Sequence, residues 1–269
     1  MILASTGSMS FFYKLKSAQW YLIFMSNKNR DIWKVRHNVF DLFTLRTIDK
    51  LASKGVFDEL KSAVSLGKEA NIFTARRGTE LVCVKIYRLE SCDFKKMYDY
   101  IRQDVRFQDL KHQKRQVIFA WTQREYRNLM KMREAGISAP TPIAFLNHVL
   151  VMEFIGEGDV PAQKLKDFLP ENSVHFFSLV LKEMQQLWKQ QMVHGDLSHY
   201  NILNHNEKPI FIDFSHSTTK QSPIYTELWQ RDIKTIAQFF AKQRVTIDAA
   251  QLQRQIRSPS KDQKERQAP

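Results

Sequence analysis

Val193-His194-Gly195-Asp196-Leu197-Ser198-His199-Tyr200-Asn201, followed by Ile210-Phe211-Ile212-Asp213-Phe214-Ser215, is the stretch on which the fold turns. An Asp and an Asn spaced as Asp196 and Asn201 can leave one tight loop, the first facing a substrate hydroxyl and the second a divalent metal. That is the division of labour that phosphoryl transfer requires. Asp213 follows the apolar run Pro209 to Ile212, which reads as a buried strand, so its carboxylate emerges at a fixed point beside the loop. A carboxylate at the lip of an apolar strand costs free energy unless a cation meets it, and Mg²⁺ suits such oxygen donors. A plainer reading has Asp196 and Asn201 capping a turn and Asp213 ending a strand. It explains each residue singly but not their order together with the pieces upstream.

Two of those pieces are charges in apolar surroundings. In the helix expected over Val117 to Ala135, Glu125 shares a face with Ile118, Trp121, Leu129 and Met132. Lys85 lies in the strand Val82-Cys83-Val84-Lys85-Ile86-Tyr87, whose neighbours alternate as in a half-buried strand. Pairing the two neutralises both and leaves an ammonium free to touch the phosphates of ATP. As separate surface residues they would be ordinary snorkelling side chains.

Ser65-Leu66-Gly67-Lys68-Glu69-Ala70 connects two expected strands and would cover the phosphates. Walker A chemistry is excluded, because Glu69 follows Lys68 where a Ser or Thr is needed. Backbone N–H groups near Gly67 and the Ser65 hydroxyl remain suited to phosphate. Met152-Glu153-Phe154-Ile155-Gly156 lies where two lobes would join, with backbone groups of Glu153 and Ile155 available to an adenine edge and Met152 packing locally. His194 and His199 flank Asp196 and read as organisers of the loop backbone rather than metal ligands.

The chain has 269 residues, 43% of them hydrophobic, enough for one bilobal domain or two small ones with real cores. Its two cysteines, Cys83 and Cys92, form neither a disulfide framework nor a zinc motif and fit a reducing compartment. No stretch is long and apolar enough to span a bilayer. Met1 to Phe24 lacks the core and cleavage site of a signal peptide, and Met25 opens an ordinary polar N-terminus. Residues 1–24 are therefore expected to be disordered or absent from the functional protein, as a non-native or misassigned start. A net charge of +13 favours a polyanionic partner, with nucleic acid the commonest for a soluble chain. Basic residues are dense from Lys95 through Arg127, including Arg102, Arg106, Lys111, Lys114 and Arg115, with Tyr98, Tyr100 and Phe107 interleaved. Cations on phosphates and rings on bases would make an RNA contact; a solvated helical face is the alternative.

Val39 to Leu60 has helical spacing interrupted at Gly55. Ser62 to Leu66, Ala70 to Arg76 and Leu81 to Tyr87 read as an antiparallel meander, and Ile143 to Leu146 and Val149 to Phe154 as two further strands. Phe177, Val180, Leu181, Met184, Leu187 and Trp188 mark a long buried helix before the loop, and Ile224 to Lys242 another after it. The expected class is α+β: a two-lobed, kinase-like fold with an antiparallel-sheet N-lobe and a mainly helical C-lobe. The expected divisions are an extension over 1–38, partly disordered; a helical preface and N-lobe over 39–155; a C-lobe over 156–245; and a basic disordered tail over 246–269.

These residues resemble the RIO family of atypical kinases, in its type-1 branch and an archaeal-like form, from about Phe40 to Phe240. The likeness is carried by Ser65 to Ile72, Val84-Lys85-Ile86-Tyr87, Asp93 to Tyr98 through Arg106-Phe107, and Arg124-Glu125-Tyr126-Arg127-Asn128-Leu129. Leu150 to Gly156, His194 to Asn201, Ile212-Asp213, Arg231-Asp232-Ile233 and Phe239-Phe240 complete it. The resemblance implies a serine/threonine kinase or ATPase using ATP and Mg²⁺, with Mn²⁺ as an alternative ion, late in small ribosomal subunit maturation. The implied setting is cytoplasmic, and the implied partners are the small-subunit precursor and its rRNA, with neither membrane nor DNA. It implies Asp196 as catalytic base, Asn201 and Asp213 as metal ligands, and Asp213 as acceptor of a transient aspartyl-phosphate. Lys85 pairs with Glu125 and contacts phosphate, and Ser65, Gly67, Lys68, Met152, Glu153 and Ile155 line the nucleotide. The type-2 branch carries a winged helix ahead of its kinase domain; the residues before Ser65 are too few and too plain for one.

The chain departs from the family pattern at Leu66 for Thr, Gly195 for Ala and His199 for Glu, and Ser215 replaces the Gly of a DFG motif. None removes a catalytic group. Phe214 to Asp232 is too short for an activation segment and holds no Ala-Pro-Glu, which argues against a broad peptide kinase. Two rivals remain from other classes. An aminoglycoside- or choline-type phosphotransferase needs more chain after Asp213, and a non-catalytic RNA-binding scaffold has no need of Lys85, Asp196 and Asn201 together.

Overall fold

The computed structural model describes residues 40–104, 107 and 110–258. Arg106, the extension over 1–38 and the end of the tail lie outside the described residues. Residues 40–46, a unit taken by itself, open a helix: the Asp41 carboxylate accepts from the Thr44 N–H at 2.7 Å, as an N-cap does. The helix, α1 (Leu42–Ser53), is shorter than the expected 39–60. Leu60 belongs instead to β1 (Glu59–Leu66), because its side chain is buried at 2% exposure in the sheet and pairs across to Ala75.

With β2 (Ala70–Arg77), β3 (Glu80–Tyr87), β4 (Pro142–Leu146) and β5 (Val149–Glu153), β1 forms a five-stranded antiparallel sheet in the order β1-β2-β3-β5-β4. β3 is central. Ile72 and Leu150 flank Lys85 on either side, so the lysine stands mid-sheet rather than at an edge. Val82, Val84 and Ile86 are buried on one face, and α3 (Lys114–Glu134) lies against the other, after α2 (Phe94–Ile101).

A short hairpin, β6 (Gly156–Glu157) and β7 (Val160–Pro161), and the strand β8 (Gln163–Lys164), which pairs antiparallel with residues 203–204, lead into the second lobe. There α4 (Ser173–Lys189) buries Phe176, Phe177, Val180, Met184 and Leu187 in one core with α5 (Tyr225–Lys242), Phe177 meeting Phe240 at 5.0 Å between ring centroids. Between them run β9 (Met192–Val193), β10 (Ile202–His205), β11 (Lys208–Phe211) and β12 (Thr218–Thr219). The loop His194–Asn201 thus joins β9 to β10, and Asp213 follows β11, which pairs with β10. β12 pairs back onto β9 through Thr218 and Val193, which sets the segment after Asp213 beside the start of the loop. This is the two-lobed α+β architecture that the sequence implies.

The basic tail is a correction in part. Residues 249–257 form α6 (Ala249–Arg257), capped reciprocally by Asp248 and Gln251, with Leu252 and Ile256 buried in the C-lobe core. Two apolar residues spaced i, i+4 supply the burial that a wholly polar tail would lack. No helix among the described residues is long and apolar enough to cross a membrane.

Candidate active site

Lys85 is 6% exposed, and its ammonium lies 2.7 Å from Glu125 Oε1 and 3.1 Å from Asp213 Oδ1. Strand β3 supplies the lysine, helix α3 the glutamate and the end of β11 the aspartate. Burial works against the charge on Lys85, but Asp213 and Glu125 outweigh it and hold the ammonium well above its ordinary value. Tyr87, two residues on, donates its hydroxyl to the other oxygen of Glu125. Asp213 keeps 39% of its side-chain surface open to the cleft. Burial opposes its ionisation, yet Lys85 and the Ser215 hydroxyl, which donates to Oδ1 at 2.8 Å, hold the carboxyl below the usual range. Its backbone is left-handed, φ 65°, a conformation sparsely populated outside glycine and found where local structure over-determines it.

Across from this triad, Asn201 donates Nδ2 to both the carbonyl of Asp196 (2.8 Å) and its carboxylate (3.0 Å). One side chain therefore fixes the loop and orients the aspartate. Asp196 is exposed to the cleft, and partial burial and the like charge of Asp213 raise its pKa above the ordinary carboxylate value. The loop is held from beneath by Asp232 of α5, whose carboxylate accepts from the N–H groups of Gly195 (2.8 Å) and Leu197 (2.9 Å). Arg231 donates to the Gly195 carbonyl, and the His199 ring stacks on Phe239 at 4.7 Å. Gly195 has φ +83°, and a Cβ there would meet the His216 carbonyl at 2.5 Å, so the loop has no room for a side chain at this position. His194 ties the two loops together. Its Nε2 donates to the Ile212 carbonyl at 3.0 Å while Nδ1 accepts from Asp196 N–H, and burial pushes the imidazole down to about 4, so it stays neutral.

The residues after Asp213 are gripped through their carbonyls. Arg124, 1% exposed, donates to Ser215 O and, at 2.9 Å, to Ser217 O. Asn128 donates to Phe214 O (2.8 Å) and Ser217 O (2.9 Å), and Tyr100 of α2 to His216 O (2.9 Å). Thus the helix that presents Glu125 also holds the segment that presents Asp213.

In the segment expected to cover a nucleotide, Ser65 is the penultimate residue of β1, opposite Ile72, and Gly67 N–H donates to Ala70 O at 3.1 Å in the turn between β1 and β2. A Cβ on Gly67 would sit 2.8 Å from that carbonyl, which demands glycine here. The Lys68 carbonyl accepts from Ser91 Oγ at 3.1 Å, and its side chain is exposed. Among the described residues, none of Ser65, Gly67 and Lys68 bonds to the transfer residues. Met152 is half-buried opposite Cys83, whose thiol burial pushes up to about 12. Glu153 N–H donates to Thr141 O (2.8 Å), and Ile155 O accepts from Ala162 N–H (2.9 Å). Those two groups are engaged within the protein, which leaves the Glu153 carbonyl and the Ile155 N–H as the candidates for an adenine edge.

Asn201, with Nδ2 turned to Asp196, presents Oδ1, and Asp213, with Oδ1 held by Lys85 and Ser215, presents Oδ2. Both are hard oxygen donors of the kind Mg²⁺ accepts, and no cluster of three or more His, Cys, Asp or Glu competes as a metal site among the described residues. In the basic segment, Phe94, Tyr98 and the exposed His112 cluster, with ring centroids 4.3–4.8 Å apart around His112. Lys95, Lys96, Lys111 and Lys114 are exposed around them.

The structure brings Lys85, Glu125 and Asp213 into contact, and Asp196 with Asn201. Sequence reasoning missed Tyr87, Arg124, Asn128 and Asp232 as parts of the site. A buried Arg and Asn on the apolar helix of Glu125 were a readable signal of partners elsewhere.

Comparison with known proteins agrees with this geometry. Residues 71–253 match the family model of the RIO domain. The chain is 38% identical to the RIO-type serine/threonine-protein kinase Rio1 of Haloferax volcanii over 229 residues, covering 85% of this chain and 79% of that one. It is 40% identical to Rio1 of Methanocaldococcus jannaschii over 224 residues, covering 83% and 77%. In fold it is similar to the Rio2 kinase of Chaetomium thermophilum, solved as an ADP/Mg²⁺-phosphoaspartate complex, with a TM-score of 0.60, 21% identity and coverage of 80% and 66%. The chain belongs to the RIO family of serine/threonine-protein kinases.

Proposed function

We propose that this kinase binds ATP with Mg²⁺ between its lobes and couples phosphoryl transfer or hydrolysis to its release from a small ribosomal subunit precursor. The observation that carries the catalytic part is the Lys85 ammonium held between Glu125 and Asp213, beside a loop whose Asn201 orients Asp196. Lys85 meets the phosphates, Asp196 accepts the proton of an acceptor hydroxyl or water, and Glu153 and Ile155 receive the adenine. Ser65, Gly67 and Lys68 cover the phosphates through backbone N–H, hydroxyl and ammonium groups. Asn201 and Asp213 would hold the metal, which, when bound, neutralises charge on the phosphates.

Asp213 Oδ2, turned away from Lys85, is the candidate acceptor for a transient aspartyl-phosphate: the γ-phosphoryl group passes to this oxygen, ADP leaves, and water later cleaves the acyl phosphate. The Rio2 complex named above, with its phosphoaspartate, supports this reading. Net charge +13 and the ring cluster at Phe94, Tyr98 and His112 among exposed lysines support rRNA as the partner. A cytoplasmic setting accords with two free cysteines.

The test is to incubate purified protein with and without small-subunit particles and follow phosphate release against protein phosphorylation. The particle should raise phosphate release, with a hydroxylamine-sensitive phosphate on the kinase. Rapid multi-turnover phosphorylation of unrelated serine peptides, indifferent to particles, would overturn it.

A further inference from the structure

Tyr87 lies two residues past Lys85 on β3, so the two side chains leave the same face of the sheet. The tyrosine is 2% exposed, its hydroxyl donates to Glu125 Oε2, and the Lys85 ammonium lies 5.0 Å from its ring centroid while binding Glu125 Oε1 at 2.7 Å. Both oxygens of one buried carboxylate are therefore occupied by donors from a single strand. A carboxylate held at one oxygen turns freely about its last torsion; one held at both does not.

We propose that Tyr87 is a positioning residue for nucleotide binding: by holding the second oxygen of Glu125 it fixes the first on Lys85 and keeps the ammonium aimed at the nucleotide phosphates. The inference rests on the nucleotide reading above. Glu125 is 1% exposed, so without the phenol its Oε2 becomes a buried carboxylate oxygen without a donor. Relief comes from rotating or protonating Glu125, and either loosens its hold on Lys85. The lysine then has Asp213, 3.1 Å away, as its remaining partner, which draws it from the phosphates. The phenol is a durable donor, since burial and the charge of Glu125 keep its pKa well above the ordinary value. Arg124 and Asn128 meanwhile hold the same helix to the segment after Asp213, so loss of Tyr87 frees the carboxylate without freeing the helix.

Tyr87→Phe keeps the ring and removes the donor. The KM for ATP should rise on the order of tenfold with kcat within about threefold, and the thermal shift induced by ATP should shrink. In the Glu125→Gln background, Tyr87→Phe should add little to the KM already raised. A lower melting temperature of the free protein with unchanged KM would reduce Tyr87 to packing and overturn the proposal, as would full additivity with Glu125→Gln. Lys85→Ala, measured alongside, separates the two levels. A loss of ATP affinity there but not in Tyr87→Phe overturns the role of Tyr87 alone, and no loss in either overturns the nucleotide reading on which it stands.

Discussion

On the transfer side of the cleft, buried side chains from distant elements hold the backbone itself. Asp232 takes two N–H groups of the His194–Asn201 loop, His194 bridges that loop to Ile212, and Arg124, Asn128 and Tyr100 take the carbonyls of residues 214–217. Across the cleft, the Ser65–Ala70 turn is tied through its own Gly67 N–H, the backbone N–H and guanidinium of Arg88, the Ser91 hydroxyl and the Cys92 thiol, and β1 leaves Leu66 66% exposed. The difference fits the roles proposed for the two sides. Transfer needs groups placed to a fraction of an ångström, and buried hydrogen bonds with no solvent competitor provide that. A cover must admit and release nucleotide, so its contacts lie near water and come from the adjoining chain.

The largest expected effect tests the transfer side directly. Asp196→Ala should lower phosphoryl transfer by about 10²–10⁴-fold, the range for loss of a general base, with nucleotide affinity within about twofold. Stopped turnover assays and equilibrium titration, run separately, check this. Wild-type turnover would remove Asp196 from the chemistry.

Asp232→Ala strips the acceptor from two buried N–H groups and should cost about 4 kcal/mol in urea unfolding. Ser65→Ala or Lys68→Ala should change stability by less than about 0.5 kcal/mol. Equal losses on the two sides would erase the contrast between them.

Acid should weaken the transfer side through His194. Its unfolded pKa is 6.5 and burial lowers the folded value to about 4, so between these values the unfolded chain takes up a proton that the folded chain refuses. Stability from this group is complete above pH 6.5 and falls by on the order of 3 kcal/mol as pH drops to 4. Denaturation profiles should be shallower over that window in His194→Gln; identical slopes would place the proton uptake elsewhere.

The smallest effect concerns the surface. Neutralising Arg102, Lys111, Lys114 and Arg115 should flatten the salt dependence of particle binding by roughly one unit of slope for each phosphate no longer neutralised, and leave ATP binding unchanged. An unaltered slope would make this segment a solvated face.

Much of the site was legible because the chemistry is local in sequence. Asp196 and Asn201 share one loop, Asp213 ends one strand, and a misplaced lysine and glutamate announced their pairing by sitting among apolar neighbours. Strands β2 to β5 and helices α3 and α5 were legible within a few residues because their burial patterns repeat at periods of two and 3.6. The end of α1 and the start of β1 were not, since Leu60 continues the helical spacing of apolar residues and only pairing to Ala75 decides otherwise. Helix α6 was hidden in a polar composition, although the Asp248–Gln251 cap and the Leu252–Ile256 pair were present to be read.

By itself, then, the sequence determined the candidate reacting groups and their order along the chain, because a carboxylate, an amide or an ammonium has its chemistry wherever it sits. Tertiary structure alone decided what holds them. That Asp232 secures the loop thirty-odd residues before it, that Arg124 grips Ser215 and Ser217, and that Tyr87 shares Glu125 with Lys85 depend on distances across the fold. A buried polar residue announces in sequence that it needs a partner, since leaving it unpaired is costly, but only packing names which one.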